Sequence, residues 1–336
     1  MIRDTQVMKL QDSFGRTITS LRISITDRCN LRCRYCMPEN GVTFLPHDDI
    51  LRYEEIERLI QIALQQGITK IRLTGGEPLV RKGIVGFIRR VGALSGLQTL
   101  TLTTNGILLP RYAADLREAG LNYLNISLDT LNAQKFAEMT RFDRLDLVLQ
   151  GIRSAKEAGF PVIKINVVSV RGFNDDELFD FIHFADQHDL IVRFIEYMPF
   201  SGNGWQPQGF LSSRELRSTL EERYTLLPNT EHPAAAAKTY RIPGHRGRIG
   251  FISAVSEGFC ARCNRLRLTS DGCLRPCLHG PIEIDVKGPL RRGASDEDLI
   301  ALFHEASEKK PAAHQDFLEY GYTRAEHDRA MVGIGG

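Results

Sequence analysis

Residues 21–38 read LRISITDRCNLRCRYCMP. The first seven alternate apolar and polar, the period of a strand with one buried face. Directly beyond them Cys29, Cys33 and Cys36 fall in the spacing C-x3-C-x2-C. Strand-like runs recur downstream, at 69–74, 98–103, 122–127, 162–168 and 190–196. Helical patterns separate them at 53–66, about 82–93, 111–119, 133–139, 144–158 and 174–188. The last of these is expected to start from Asn174 as its cap. Such βα alternation implies a parallel sheet with right-handed crossovers. Six units rather than eight point to an open or partial barrel. A doubly wound sheet is the competitor, and periodicity alone does not choose between them.

After residue 200 the pattern changes. A loop is expected at 201–204, a helix at 212–222, and a compositional break at 232–237 (HPAAAA). Strands near 238–242, 248–253 and 265–269 follow, then a helix at 296–309 and a loosely structured final forty residues. The chain therefore divides into a barrel unit, 10–230, and a smaller α+β unit, 231–336.

Composition narrows the function. The 336 residues carry a formal charge of +2 and 25% charged side chains, an ordinary globular balance that argues against a nucleic-acid or membrane partner. No apolar run approaches a membrane span, and the first ten residues lack a secretory core, so cytoplasm is the expected location. A removed organellar transit peptide stays open. So does the oligomeric state, with a homodimer compatible. Seven cysteines lie in two groups, Cys29, Cys33 and Cys36, then Cys260, Cys263, Cys273 and Cys277. An odd count in a reducing compartment favours metal ligation or catalysis over a disulfide framework.

Three close thiolates can hold three irons of a four-iron cubane and leave the fourth open to a ligand. A zinc site would want a fourth protein ligand, and His47 is the nearest histidine. Inert core thiols are the bland alternative, but this stretch is too polar for a core strand. The motif after the first strand resembles the signature of the radical S-adenosylmethionine superfamily. That resemblance implies a partial (β/α)6 barrel, S-adenosylmethionine on the open iron, and a 5′-deoxyadenosyl radical that abstracts hydrogen. It places Tyr35 near the adenine and likens Gly75-Gly76-Glu77-Pro78 to the glycine motif at the methionine amino group. Glycine there would allow a ligand close to the backbone, although a tight turn explains it equally. Polar strand ends at Thr103-Thr104-Asn105, Ser127-Leu128-Asp129 and Glu196-Tyr197-Met198 lie where α/β barrels build sites; helix capping is the alternative.

On spacing alone the second group, C-x2-C-x13-C through Cys260, Cys263 and Cys277, reads equally as a zinc ribbon. Its context is GFCARCNRLRLTSDG, where Arg265 and Arg267 lie two apart on a strand and share a face. Such a pair suits phosphate oxygens or a carboxylate, while a solvated strand face is the bland reading. Taken with RLTGGEPL at 72–79, RFIEYMP at 193–199 and Asn203-Gly204-Trp205, the whole pattern resembles the GTP 3′,8-cyclase family of molybdenum cofactor biosynthesis. Cys273 has no place in that family's pattern.

The resemblance implies two 4Fe–4S clusters, held by Cys29, Cys33 and Cys36 and by Cys260, Cys263 and Cys277. GTP would bind to Arg22, Arg72, Thr103, Lys164, Arg265 and Arg267, and S-adenosylmethionine would touch Tyr35, Gly76, Ser127 and Met198. Arg22, Arg265, Arg267 and the terminal Gly335 and Gly336 would serve catalysis, the tail reaching into the site. The implied reaction abstracts hydrogen from ribose C3′, joins that carbon to guanine C8, and yields (8S)-3′,8-cyclo-7,8-dihydroguanosine 5′-triphosphate. An electron donor and a downstream cyclic pyranopterin monophosphate synthase are the implied partners. A peptide-modifying two-cluster enzyme and a non-enzymatic zinc protein are the rivals.

Overall fold

The computed structural model describes residues 9–38, 40–200, 203–230, 233–313, 329 and 331–335. Six strands alternate with helices in chain order: β1 (Ser20–Ser24), α1 (Tyr53–Gln65), β2 (Lys70–Thr74), α2 (Ile84–Gly92), β3 (Thr99–Thr104), α3 (Leu109–Glu118), β4 (Tyr123–Ser127), α4 (Ala133–Thr140), α5 (Leu145–Glu157), β5 (Ile163–Ser169), α6 (Leu178–His188) and β6 (Ile191–Glu196). Then come α7 (Ser213–Glu221), β7 (Leu227–Pro228), β8 (Lys238–Arg241), β9 (Arg248–Ile252), β10 (Arg265–Leu268), β11 (Cys273–Arg275), β12 (Ile284–Asp285), α8 (Lys287–Arg291), α9 (Asp296–Glu308) and α10 (Met331–Ile334).

The sheet runs β12-β11-β10-β1-β2-β3-β4-β5-β6-β9-β8-β7. From β10 through β9 every neighbouring pair is parallel, and the short strands outside them are antiparallel. The strands of the carboxy-terminal third thus form no sheet of their own among the described residues. They extend both ends of the first one, with β10 beside β1 and β9 beside β6.

One face is apolar and helix-covered. Leu21, Ile23, Ile71, Leu73, Leu100, Leu102, Leu124, Ile126 and Ile165 are buried there. Each helix offers a matching stripe: α1 buries Ile56, Leu59, Ile60 and Ala63, the i, i+3, i+4, i+7 pattern of a core-facing helix. At about 1.5–3 kcal/mol per fully buried large side chain, this face supplies most of what holds the layers together.

Several local expectations are corrected. Asn174 does not cap α6. Its Oδ1 accepts from Val170 N at 2.8 Å and its Nδ2 donates to Asp129 O at 2.7 Å and Val168 O at 2.9 Å. The side chain is spent tying the ends of β4 and β5 together, and a short 3-10 turn precedes the helix. Within the final forty residues, expected to be loosely structured, Met331–Ile334 form α10 with Val332 and Ile334 buried. Ser201, Gly202, His232 and most of residues 314–336, Gly336 included, lie outside the described residues.

Candidate active site

The other face of the sheet is polar. Parallel register places Arg267, Arg22, Arg72 and Thr101 in one transverse row across β10, β1, β2 and β3. A second row runs Thr103, Asn125, Lys164, and Asn166 stands beside Arg193. Arg265 and Lys70 lie two residues from Arg267 and Arg72 and share their face. In a flat sheet β6 would stand about 24 Å from β1, five steps of about 4.8 Å. Yet the ring of Phe200, just past β6, stacks on His279, which follows β11 still further along the sheet order, with centroids 5.0 Å apart. The sheet is therefore curled, and its polar face lines a concave interior.

That interior is cationic. Burial, then Arg267, Arg72, Arg265 and Arg193, pull Arg22 well below the ordinary arginine range. Burial and the neighbouring arginines push Lys70 down to about 8, Arg267 to about 9 and Arg72 to about 10. Among the described residues no carboxylate pairs with Arg22 or Arg72. Thr103 Oγ1 and Arg265 Nη2 are buried without a hydrogen-bond partner. Clustered cations and unspent polar atoms cost free energy unless a ligand satisfies them, so the cavity is built for a polyanion. Arg193 is fixed by its bonds to Asn125 Oδ1 and Asn166 Oδ1, both 2.6 Å. Lys70, Arg193 and these asparagines belong to the cavity although the sequence reading did not single them out. For Lys70 the signal was present, two residues before Arg72 on the same strand.

The first cysteine group sits on the loop after β1, pinned from several sides. Asn105 Nδ2 donates to Asn30 Oδ1 at 2.7 Å and lies 3.9 Å from Cys29 Sγ. Asn105 N and Thr104 Oγ1 donate to the buried Glu77 at 2.6 and 2.8 Å. Burial pushes Glu77 up to about 7. Tyr35 hydrogen-bonds Asp129, whose other partner is Val168 N at 2.8 Å. Burial pushes the Cys29 thiol up to about 11 and Cys36 to about 12, so without a metal both are neutral.

Gly76 also meets a packing requirement of its own. A Cβ there would stand 2.3 Å from Arg28 O, and one on Gly75 would stand 2.6 Å from Thr26 O. The missing side chains let β2's loop press on the backbone that carries the cysteines. Ser127 closes β4 on the concave face, and Met198, half-buried, accepts from Asn203 Nδ2 at 2.9 Å through its carbonyl.

The second group flanks β10. Cys260 lies in a 3-10 turn, its carbonyl accepting from Arg16 Nη1 at 2.6 Å. Burial pushes the Cys263 thiol up, but Arg265 and Lys310 more than offset this and bring it to about 7. Cys277 and Cys263 both act on Arg267. Cys273, on β11, has Asp271, Glu283, Arg329 and Asp285 around it instead. Among the described residues no three His, Cys, Asp or Glu side chains converge on a single-ion site. A four-iron cluster takes one thiolate per iron and does not require that convergence.

The chain end enters this cavity. Arg267 Nη1 donates to Gly335 O at 2.7 Å. Gly335 has φ +83°, and a Cβ there would lie 2.8 Å from Ser24 Cβ, so both backbone conformation and space demand glycine.

A model of the radical SAM superfamily matches residues 23–185, and a model described as Molybdenum Cofactor Synthesis C matches 190–316. The chain is 49% identical over 331 residues to a GTP 3′,8-cyclase of Moorella thermoacetica, covering 97% of this chain and 100% of that one. It is 45% identical over 327 residues to Molybdenum cofactor biosynthesis protein 1 of Mus musculus, covering 97% of this chain and 51% of that one. Among solved structures, Streptococcus suis SuiB bound to S-adenosylmethionine aligns with a TM-score of 0.58 at 15% identity, over 86% of this chain and 66% of that one. That likeness speaks for the fold alone. With near-full-length identity to named cyclases, this chain belongs to the GTP 3′,8-cyclase family of the radical S-adenosylmethionine superfamily.

Proposed function

We propose that this chain converts GTP to (8S)-3′,8-cyclo-7,8-dihydroguanosine 5′-triphosphate, the opening step of molybdenum cofactor biosynthesis. The observation that carries the reading is the arginine row across β10, β1 and β2, set in a concave interior with one cysteine group on the loop after β1 and the other around β10 and β11. When bound, the two 4Fe–4S clusters and S-adenosylmethionine supply electrons and a hydrogen-abstracting carbon radical.

The chain's own residues bind and orient. Cys29, Cys33 and Cys36 hold one cluster, and Cys260, Cys263 and Cys277 hold the second. Cys273 stands apart from this second set, among carboxylates. Arg22, Arg72, Lys164, Arg265 and Arg267 neutralise the triphosphate, with Lys70 and Thr103 beside them. A nucleotide held this way keeps its ribose fixed while the reaction proceeds, which removes much of the entropic barrier. Tyr35, Gly76, Ser127 and Met198 face the S-adenosylmethionine site, and the Asp129 bond holds the Tyr35 ring in place. Gly335, with Gly336 beyond it, orders Arg267.

An external electron donor and a downstream cyclic pyranopterin monophosphate synthase complete the scheme. No helix among the described residues is long and apolar enough to cross a membrane, and the cytoplasm is the proposed location. The test is anaerobic incubation with GTP, S-adenosylmethionine and dithionite, followed by analysis for 5′-deoxyadenosine and the cyclic nucleotide. Cleavage of S-adenosylmethionine with no change in GTP would leave the superfamily chemistry but remove this substrate.

A further inference from the structure

The tail is attached to β10 and the turn after it at two points. Inside the cavity Arg267 donates to Gly335 O. Just past the end of β10, Arg329 Nη1 and Nη2 donate to the two oxygens of Asp271 at 2.9 and 2.7 Å. Arg329 Nη2 also lies 2.8 Å from Glu283 Oε2. The receiving groups are themselves fixed: Thr269 Oγ1 donates to Asp271 Oδ1 at 2.6 Å, and Glu283 pairs with the buried Arg275.

A bidentate guanidinium–carboxylate fork is directional as well as strong. Here the Asp271 side chain is 15% exposed and that of Arg329 29%, so solvent screens the pair less than a surface pair. Between the two attachments lie four residues of helix, too short to persist alone. The terminal glycines lose more freedom on ordering than other residues would. An anchor shortly before α10 turns seating of the tail into a short-tether event with a high effective concentration.

We propose that Arg329, forked onto Asp271 and braced by Glu283, is a positioning residue that seats the Gly-Gly tail against Arg267 for cyclisation. This rests on the reading that the tail takes part in the reaction. It also gives Cys273 a setting: the thiol left out of both cluster groups lies beside this clasp.

The test uses the reconstituted full-length enzyme. Arg329→Ala should cut the kcat of cyclisation about a hundredfold, the cost of a misplaced orienting group, while the KM for GTP stays within about twofold. Iron content should be unchanged, and more 5′-deoxyadenosine should form per cyclic product. Hydrogen exchange in the carboxy-terminal peptide should speed up in the same variant, with or without clusters. Asp271→Asn should behave alike, and the double variant should be no worse than either single one, because both remove one contact. Arg329→Lys, which keeps the charge and loses the fork, should fall between. Wild-type exchange and turnover in Arg329→Ala, or additive losses in the double variant, would overturn the clasp. A chain ending at Ile334 separates the two readings. If it turns over fully, the tail reading fails; if it loses turnover while Arg329→Ala keeps it, the clasp alone fails.

Discussion

Lys70 shows how much the interior asks of single residues. Its ammonium is held near 8 by burial first, then by Arg72 and Arg22, and a triphosphate favours the protonated form. In the free protein that proton is lost as pH rises through about 8, so GTP affinity should fall between pH 7 and 9.5. Calorimetric titration should show this, and Lys70→Met should bind more weakly at pH 7 with a flatter profile. Replacing Arg22 or Arg267 by Ala should weaken GTP by about 1.5–3 kcal/mol with iron content unchanged. Equal affinity in the double variant would remove the anion assignment. Gly76→Ala drives a Cβ into Arg28 O at 2.3 Å; the loop must shift, at a cost of about 1–3 kcal/mol, and the variant should purify with less iron. Arg265 and Arg267 were legible because they lie two apart on one strand and so share a face; Arg22 and Arg72 came only with the family resemblance. The packing requirement at Gly76 was not legible, because it depends on which backbone stands opposite.

At the scale of elements, the first cysteine group sits on the loop after β1, and the second is split between the turn before β10, with Cys260 and Cys263, and the stretch from β11 onward, with Cys273 and Cys277. If each holds its own cluster, replacing Cys29, Cys33 and Cys36 by Ala should remove about half the iron and abolish cleavage of S-adenosylmethionine. Replacing Cys260, Cys263 and Cys277 should also remove about half, yet leave some uncoupled cleavage. Stoichiometric zinc in an anaerobic preparation would refute the second cluster. Most strands and helices were readable from period and caps; α7, for one, starts at a Ser212–Glu215 capping box. Asn174 shows the limit. As a residue type it suits a cap, but Asp129 O and Val168 O compete for its amide, and these arrive from elsewhere in the chain. The short α10 was illegible for the same reason, since its order comes from burial of Val332 and Ile334 rather than from propensity.

For the molecule as a whole, the decisive feature is that residues after 230 complete the sheet at both ends. Calorimetry of the full chain should show a single unfolding transition, and a fragment of residues 10–230 should aggregate, with bare edges on β1 and β6. Two separate transitions would mean that the shared sheet does not couple the two regions. Alternation of strands and helices made the barrel readable, but nothing local said that β10 would pair with β1. The join also sets a timetable for synthesis. Asn264, just before β10, bonds Thr19, just before β1, across 245 residues of chain. At about 5–20 residues per second a ribosome needs roughly 12–50 s to cover that distance. For nearly all of that time the cysteine loop beside β1 has been made while the second neighbour of β1 is still to come. Loading of the first cluster and completion of the sheet are therefore separate events in the life of each molecule, and the open edge is what a chaperone would have to guard in between.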